Sequence, residues 1–300
     1  MDMLHAMSAF AAVVDAGGFA GAARRLGLSP PAVTRAINEL EAHLGVRLLT
    51  RTTRAVRATE AGARYAEDCR RILQAIDEAD ESASGAHAAP KGRLSVAAPS
   101  LFGARFVAPV VSQYLLRYPE MRVSCWFLDR VVQLLEEGVD AAVRIGDVPD
   151  SGHSAVRVGQ VRRVVCAAPA YLEQRGTPDA PEELAGHAIV AAGGVAPAAE
   201  WRLLAGGSAR TMKLEARLHA TTHEAALQAA LAGVGITRLP WFQVAEAVKA
   251  GRLRVLLGSH ETAPLPVHVV HREGRHPTQK VRAFVDLAVQ ALRAEPLLNP

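Results

Sequence analysis

SPPAVTRAINELEAHL, residues Ser29 to Leu44, reads as one helix with two unlike faces. Ser29 suits the N-cap, and Pro30 behind it suits the first helical position, where no N–H is needed. Val33, Ile37, Leu40 and Leu44 recur at spacings of four, three and four, which makes a single apolar stripe. Pro31, Thr34, Arg35 and Asn38 occupy the opposite face, which carries a cation and hydrogen-bonding groups and no acid until Glu39. A helix with a buried stripe and a polar, basic face near its N-terminus has the form needed to enter a DNA major groove.

Working outward, Phe19, Ala22, Ala23 and Leu26 place a short helix just before it, and Gly27–Leu28 makes a tight connection. Two helices joined by three or four residues that include a glycine form the helix-turn-helix pattern. Ala22 and Ala23 are small enough for the pair to approach closely. Met3, Met7, Phe10 and Val14 mark a helix in front that ends at Gly17–Gly18. Gly45 stands where a helix C-terminal glycine belongs. The run RLLTRTTRAVRAT behind it reads as a hairpin, or wing, turning at Thr52–Thr53 and carrying Arg47, Arg51, Arg54 and Arg57. From Gly18 to Thr59 there are seven arginines against Glu39 and Glu41, a local balance of +5. Arginine is the side chain suited to bidentate contact with phosphate and guanine. Helix pair, wing and arginine excess together point to nucleic acid, with Ser29, Pro30, Pro31, Thr34, Arg35, Asn38, Arg51 and Arg54 as the candidate contacts.

This stretch resembles the winged helix-turn-helix of LysR-type transcriptional regulators. The resemblance lies in Ala22, Ala23, Leu26, Ser29, Ala32, Val33, Ile37, Leu40, Glu41, Leu44, Gly45, Leu48, Arg51, Thr59, Glu60 and Gly62. Thr34 stands where the family usually has serine, and Leu49 where it often has phenylalanine. The resemblance implies a DNA-binding regulator that reads an interrupted palindromic operator as a homodimer or homotetramer and answers to a small-molecule effector.

Thr59 to Ser84 contains no proline and reads as a long helix. Tyr65, Cys69, Ile72, Ile76, Ala79 and Ala83 fall at alternating spacings of four and three, a heptad seam. Arg64, Glu67, Asp68, Arg70 and Arg71 flank it. An isolated helix cannot bury such a seam, so Tyr65, Cys69, Ile72, Ile76 and Ala79 are candidates for dimerisation. GAHAAPKG, Gly85 to Gly92, is a short linker.

From Arg93 the pattern turns to alternating strands and helices. LSVAAP, a helix from Gly103 to Arg117, MRVSCWFLD, a helix from Val131 to Glu137, and VDAAVRIG make a βαβαβ run, which implies a parallel sheet. VRRVVCAAP, a helix from Ala170 to Arg175, HAIVAAG, TMKLEARLHA, a helix from Glu224 to Ala232, GVGITRLP, a helix from Trp241 to Lys249 and RLRVLL form a second set. LPVHVVHRE and a helix from Thr278 to Ala294 close the chain. The expected fold is multi-domain α+β. Residues 1–59 form the winged helix-turn-helix, and 60–91 the linker helix and hinge. Residues 92–300 form an α/β effector domain of two subdomains, one of 92–161 with 267–300 and one of 162–266. Their division, and the likeness to periplasmic binding proteins, follow from the family resemblance.

In open α/β sheets ligands collect beyond the carboxyl ends of strands. Ser100 sits at such a junction. Its hydroxyl and the backbone N–H groups of Leu101 and Phe102 at a helix start would suit an anionic group. Arg144, Ile145 and Gly146 end a strand at the same rim, and Thr221 and Thr222 offer hydroxyls from the other subdomain. In the family the matching regions line an effector pocket. Ser100 and Thr222 serve equally well as plain helix caps.

Composition limits the rival classes. Three hundred residues with 50% hydrophobic content support two or three domains, and the net charge of +4 places the basic bias locally. No apolar run approaches the ~20 residues of a membrane span. MDMLHAMSAF lacks a basic start, so no signal peptide is expected and a cytoplasmic site is. Cys69, Cys125 and Cys166 are odd in number, widely spaced and without a CxxC, as for reduced thiols. No GxSxG or Walker A sequence occurs, and Gly233–Gly235 supplies only GxG behind a helix. His219 and His223 straddle a change of element. His268 and His271 lie three apart in a strand and so face opposite sides. Asp147 and Asp150 fall in a turn-rich loop. No enzyme, metal or cofactor is therefore expected. A solute-binding protein or enzyme built on residues 92–300 is the alternative, and it leaves residues 1–84 unexplained.

Overall fold

A computed structural model describes residues 2–51, 56–83, 89–130, 132–134, 136–148, 154–193, 198–271 and 277–299. The chain divides into two compact units, Met1–Ala88 and Ala89–Pro300.

In the first unit, α1 (Met3–Ala16) starts on Asp2, whose carboxylate accepts the N–H groups of Leu4 and His5. α2 (Phe19–Leu26) and α3 (Pro30–Leu44) follow. Ser29 caps α3, its hydroxyl accepting the Ala32 N–H at 3.3 Å. Gly45 ends α3 in the left-handed region at φ 67°, where a side chain would be strained. β1 (Leu49–Arg51) pairs antiparallel with β2 (Val56–Ala58), and α4 (Glu60–Ala83) leaves the wing. Phe10, Val13, Ala22, Ala23, Val33, Ile37, Leu40 and Leu48 are buried together, as the periodicities require. Leu44, the last residue of the expected stripe, is exposed. Glu41 is buried one turn earlier, for the reason given below.

The second unit holds two sheets. The first has the order β4 (Met121–Phe127), β3 (Gly92–Ala98), β5 (Ala141–Ile145), β13 (Leu265–His271), β6 (Ser154–Val161). β3 runs parallel to β4 and β5, as a βαβ run demands. β13 runs antiparallel to β5 and β6, so the sheet is mixed rather than parallel. Between β3 and β4 the chain forms a continuous helix, α5, from Ser100–Phe102 through a π-helical turn at Gly103–Val107 to Ala108–Arg117.

The second sheet has the order β12 (Arg254–Leu256), β7 (Arg163–Ala167), β11 (Ile236–Pro240), β8 (Ile189–Ala192), β10 (Ser208–Ala220), β9 (Ala198–Ala205). Its helices are α6 (Pro169–Arg175), α7 (His223–Leu231) and α8 (Trp241–Lys249). The chain then returns through β13 and α9 (Gln279–Arg293) to the first sheet.

Three expectations are corrected. The described residues between Val132 and Gly138 form turns, not a helix. There the Glu137 carboxylate accepts two bonds from Arg130 and the Gln133 N–H, a local knot that competes with helical pairing. The run before Ala167 is two strands, broken at Arg162. β9 is a hairpin partner of β10 that the sequence reading left out, although buried Ala199, Trp201 and Leu203 alternate with exposed Glu200 and Arg202. No helix among the described residues is long and apolar enough to cross a membrane.

Candidate nucleic-acid interface and ligand cleft

Capping by Ser29 and burial of Val33, Ile37 and Leu40 leave one choice for the remaining face of α3. Ser29, Pro30, Pro31, Arg35 and Asn38 are exposed, and Thr34 is half-buried. With Glu39 and Ala42, the residues from Pro30 to Asn38 on this face line an open depression. The Thr34 hydroxyl donates to the Pro30 carbonyl at 3.0 Å, so toward a ligand it presents an acceptor and a methyl group. Arg35 has no hydrogen-bond or ion-pair partner among the described residues, and its five donors are open. Arg47 and Arg57 are exposed at the wing. The side chain of Arg51 and all of Arg54 lie outside the described residues. Arg25 is partly committed, meeting Asp15 at 3.2 Å. Asp15 also takes Arg70 of α4 at 2.7 Å. Burial raises its pKa, but the bonds and charges of Arg70 and then Arg25 outweigh that and hold the carboxyl below its ordinary value.

Two residues of the family pattern, to which apolar periodicity assigns no role, fix the wing. Glu41 is buried, and its carboxylate accepts the N–H groups of Leu48 and Leu49 at 2.8 and 3.0 Å. Gly62 packs where a Cβ would overlap the Leu48 carbonyl oxygen. The signal for Glu41 is an acid on the apolar side of an amphipathic helix. The signal for Gly62 is a glycine early in an otherwise glycine-free helix.

The seam on α4 divides in two. Cys69 is fully buried in its own unit, and Tyr65 packs with its ring centroid 5.9 Å from that of Phe10. Cys69 thus packs α4 within its own unit, and Tyr65, half-buried, packs on Phe10 of α1. Burial pushes the Cys69 thiol up to about 11. Ile72 is 38% exposed and Ile76 half-buried, so the seam past Cys69 is not covered within the unit. The Ala79 side chain lies outside the described residues.

In the second unit the expected anion cradle is already occupied. The Ser100 N–H donates to Asp129 Oδ1 at 2.9 Å and its hydroxyl to the Phe127 carbonyl at 3.1 Å. Leu101 is half-buried. The Phe102 side chain is in the core, tilted against Phe106 and edge-on to Phe242. Arg144 donates to the Val132 carbonyl at 2.8 Å, holding the loop over the sheet. Ile145 is half-buried, and the Gly146 N–H donates to the Pro266 carbonyl. Thr222 caps α7, accepting the Ala225 N–H at 3.3 Å, and Thr221 beside it is exposed. Ser100, Arg144 and Gly146 thus have structural uses for the groups that were expected to meet a ligand.

Other charges gather where the two sheets are joined. Arg162, between β6 and β7, makes a two-pronged pair with Glu261 at 2.9 and 3.0 Å and lies over the Trp241 ring, so it ties the outgoing chain crossing to the returning one. Arg105 of α5 reaches α8, donating to the Phe242 carbonyl at 2.9 Å and to Glu246 at 3.1 Å. Arg163 and Arg238 stand on neighbouring strands; partial desolvation lowers the pKa of both, although the Arg163 side chain keeps exposed surface, and the charge of Arg163 adds to the lowering at Arg238. His223 is lowered by burial and by Arg163, against the opposing charge of Asp129. The sequence signal for the pair is an arginine interrupting each of two apolar strands, VRRVV and GITRLP.

With this geometry in place, the comparisons with known proteins are specific. Residues 4–63 match the bacterial regulatory helix-turn-helix proteins of the lysR family, and residues 87–293 match the LysR substrate binding domain. The chain belongs to the LysR family. An HTH-type transcriptional repressor of Pseudomonas aeruginosa (strain UCBPP-PA14) is 34% identical, over 99% of this chain and 94% of the relative. The HTH-type transcriptional activator AaeR of Escherichia coli (strain K12) is 31% identical over 95% of this chain and 93% of its own length. Among solved structures, CrgA, a LysR-type transcriptional regulator from Neisseria meningitidis, is 32% identical with a TM-score of 0.61, covering 96% of this chain and 98% of that one. Full-length AphB, a virulence activator of Vibrio cholerae in the same family, is 26% identical with a TM-score of 0.64, covering 96% of this chain and 98% of that one. This LysR-family chain is a DNA-binding transcriptional regulator with an effector-binding domain, and not an enzyme.

Proposed function

We propose that this LysR-type regulator reads its operator with the exposed face of α3. Arg35 contacts base edges in the major groove, and the wing arginines contact the backbone. Ser29, Pro30 and Pro31 bring the start of α3 against the DNA, and Thr34 and Asn38 flank Arg35. The observation that carries this reading is the open guanidinium of Arg35 on a capped helix whose other face buries Val33, Ile37 and Leu40 in the core. Residues 1–59 bind DNA, 60–91 link and dimerise, and 92–300 sense a small molecule between their two sheets. Ile72 and Ile76, left uncovered within the unit, meet a second copy, so that two recognition helices address the paired half-sites of an interrupted palindrome. Since it acts on bacterial DNA, the protein works in the cytoplasm. The test is an electrophoretic shift of the DNA upstream of its own gene at rising salt. Saturable retention whose affinity falls linearly on logarithmic axes supports the reading. Retention no stronger than that of scrambled DNA removes it.

A further inference from the structure

We infer that Arg163 and Arg238 form an anion-recognition pair on the second-sheet wall of the cleft. The pair takes a small dianion, such as a dicarboxylate, while the first-sheet wall at Asp129 takes a hydrogen-bond donor of the same ligand. This rests on residues 92–300 being the sensing unit.

Strand register places the two arginines together. In the antiparallel β7–β11 pair, Arg163 is opposite Pro240 and Arg238 opposite Val165. Partners in register share a face, and side chains two apart along a strand share it too. Arg163 and Arg238 are therefore diagonal neighbours on one face, a separation that long side chains span. They lie where β7 begins and β11 ends, beside Arg162 and Trp241, which puts them at the edge from which the chain crosses to the first sheet.

Neither guanidinium is paired with an acid among the described residues. Arg163 is exposed and makes no hydrogen bond or ion pair with the described residues. Among the described residues the buried Nε of Arg238 has no partner, and that guanidinium makes one long hydrogen bond, 3.4 Å to the Thr262 hydroxyl. Glu261 is the neighbouring acid, but both of its oxygens are taken by Arg162. A partly desolvated guanidinium with open donors is costly, and two such groups side by side repel. A ligand with two acidic groups reverses both terms, because each carboxylate matches the planar fork of an arginine. Asp129 fixes the ligand's polarity. Its carboxylate already receives the Ser100 N–H, so the first-sheet wall repels an anion and accepts a hydroxyl or amine. The half-buried His223 feels the charges of both Arg163 and Asp129, which brings the two walls to one polar site, and Thr221 and Thr222 precede it at the start of α7.

The experiment is isothermal titration of the full-length protein with succinate and with inorganic phosphate at constant ionic strength, with succinamide as the neutral control. Saturable binding of either anion without succinamide binding, weakened at least tenfold in both Arg163→Gln and Arg238→Gln, is the expected result. Absence of saturable binding of both anions, or equal affinity in both variants, overturns the pair. Should Arg238→Gln melt at a lower temperature, Arg163→Gln decides, since Arg163 is exposed and bonds nothing that its loss would strand. A reporter at the regulated promoter separates the two levels. Anion binding through both arginines with an unchanged reporter response keeps the site and removes its sensing role.

Discussion

Glu41→Ala is the substitution whose cost can be worked most directly from the geometry. Glu41 is 8% exposed, and its carboxylate accepts two backbone N–H groups, those of Leu48 and Leu49, which belong to residues 1% and 3% exposed. Alanine leaves both donors buried and unpaired, at about 1–3 kcal/mol each, so the expected cost is ~2–6 kcal/mol. Glutamine keeps one acceptor and loses charge assistance, and should cost about 1–2 kcal/mol. The three tryptophans, Trp126, Trp201 and Trp241, all lie in the second unit, which gives an internal control. In a urea titration, tryptophan fluorescence follows the second unit, and far-ultraviolet circular dichroism follows both. With a slope of ~1 kcal/mol/M for a small domain, the dichroism of Glu41→Ala should lose a component about 2 M or more earlier. The fluorescence midpoint should stay in place. Hydrogen exchange at the Leu48 and Leu49 amides should accelerate in parallel. A dichroism curve identical to wild type, with those two amides still protected, would refute the reasoning.

Gly62→Ala pushes a methyl group into the Leu48 carbonyl and should destabilise the first unit by about 3 kcal/mol, read as an earlier dichroism transition; a wild-type curve would show that α4 can shift without cost. Cys69 and Cys166 are buried, with thiols pushed up to about 11 and about 12, whereas Cys125 is exposed. A thiol reagent at pH 8 should therefore titrate one group in the native protein and three in denaturant. The native rate should climb with pH, because burial also raises Cys125 and only the thiolate reacts; two fast native groups would contradict the packing. Ile72→Asp or Ile76→Asp places a charge in the uncovered part of the α4 seam and should yield smaller species in sedimentation, with loss of operator binding. An unchanged oligomer in both variants would remove the seam.

The first unit was legible because its signals are local. Ser29, Gly17, Gly27 and Gly45 mark helix ends by backbone chemistry, and the apolar spacing of α3 is what a buried stripe needs. Leu44 and Cys69 show where periodicity stops being informative, since it finds a stripe without saying which partner covers each position. Tyr65 and Cys69 read as seam residues; Cys69 is buried in the core of its own unit, and Tyr65 lies half-buried against Phe10. The second unit was legible in element order and less so in pairing. β9 was missed although Ala199, Trp201 and Leu203 alternate with Glu200 and Arg202 as a strand requires, and the Val132–Gly138 turns were misread because Arg130 and Glu137 bond locally. At the cleft, helix-start logic found Ser100 but not Asp129, which is 29 residues away and already fills the position. Arg163 and Arg238 lie far apart in sequence and meet only through strand register, which no local pattern contains.

The central claim, that the open face of α3 reads base edges through Arg35, is tested most directly by one competition measurement. A duplex selected by the wild-type protein from a randomised pool is titrated with wild type and with Arg35→Ala, against random-sequence DNA at a fixed salt near 0.15 M. The account predicts that Arg35→Ala loses ~1–3 kcal/mol of affinity for the selected duplex, roughly a 5- to 150-fold change, while its affinity for random DNA stays close to wild type. Unchanged affinity of the folded variant for the selected duplex would contradict it.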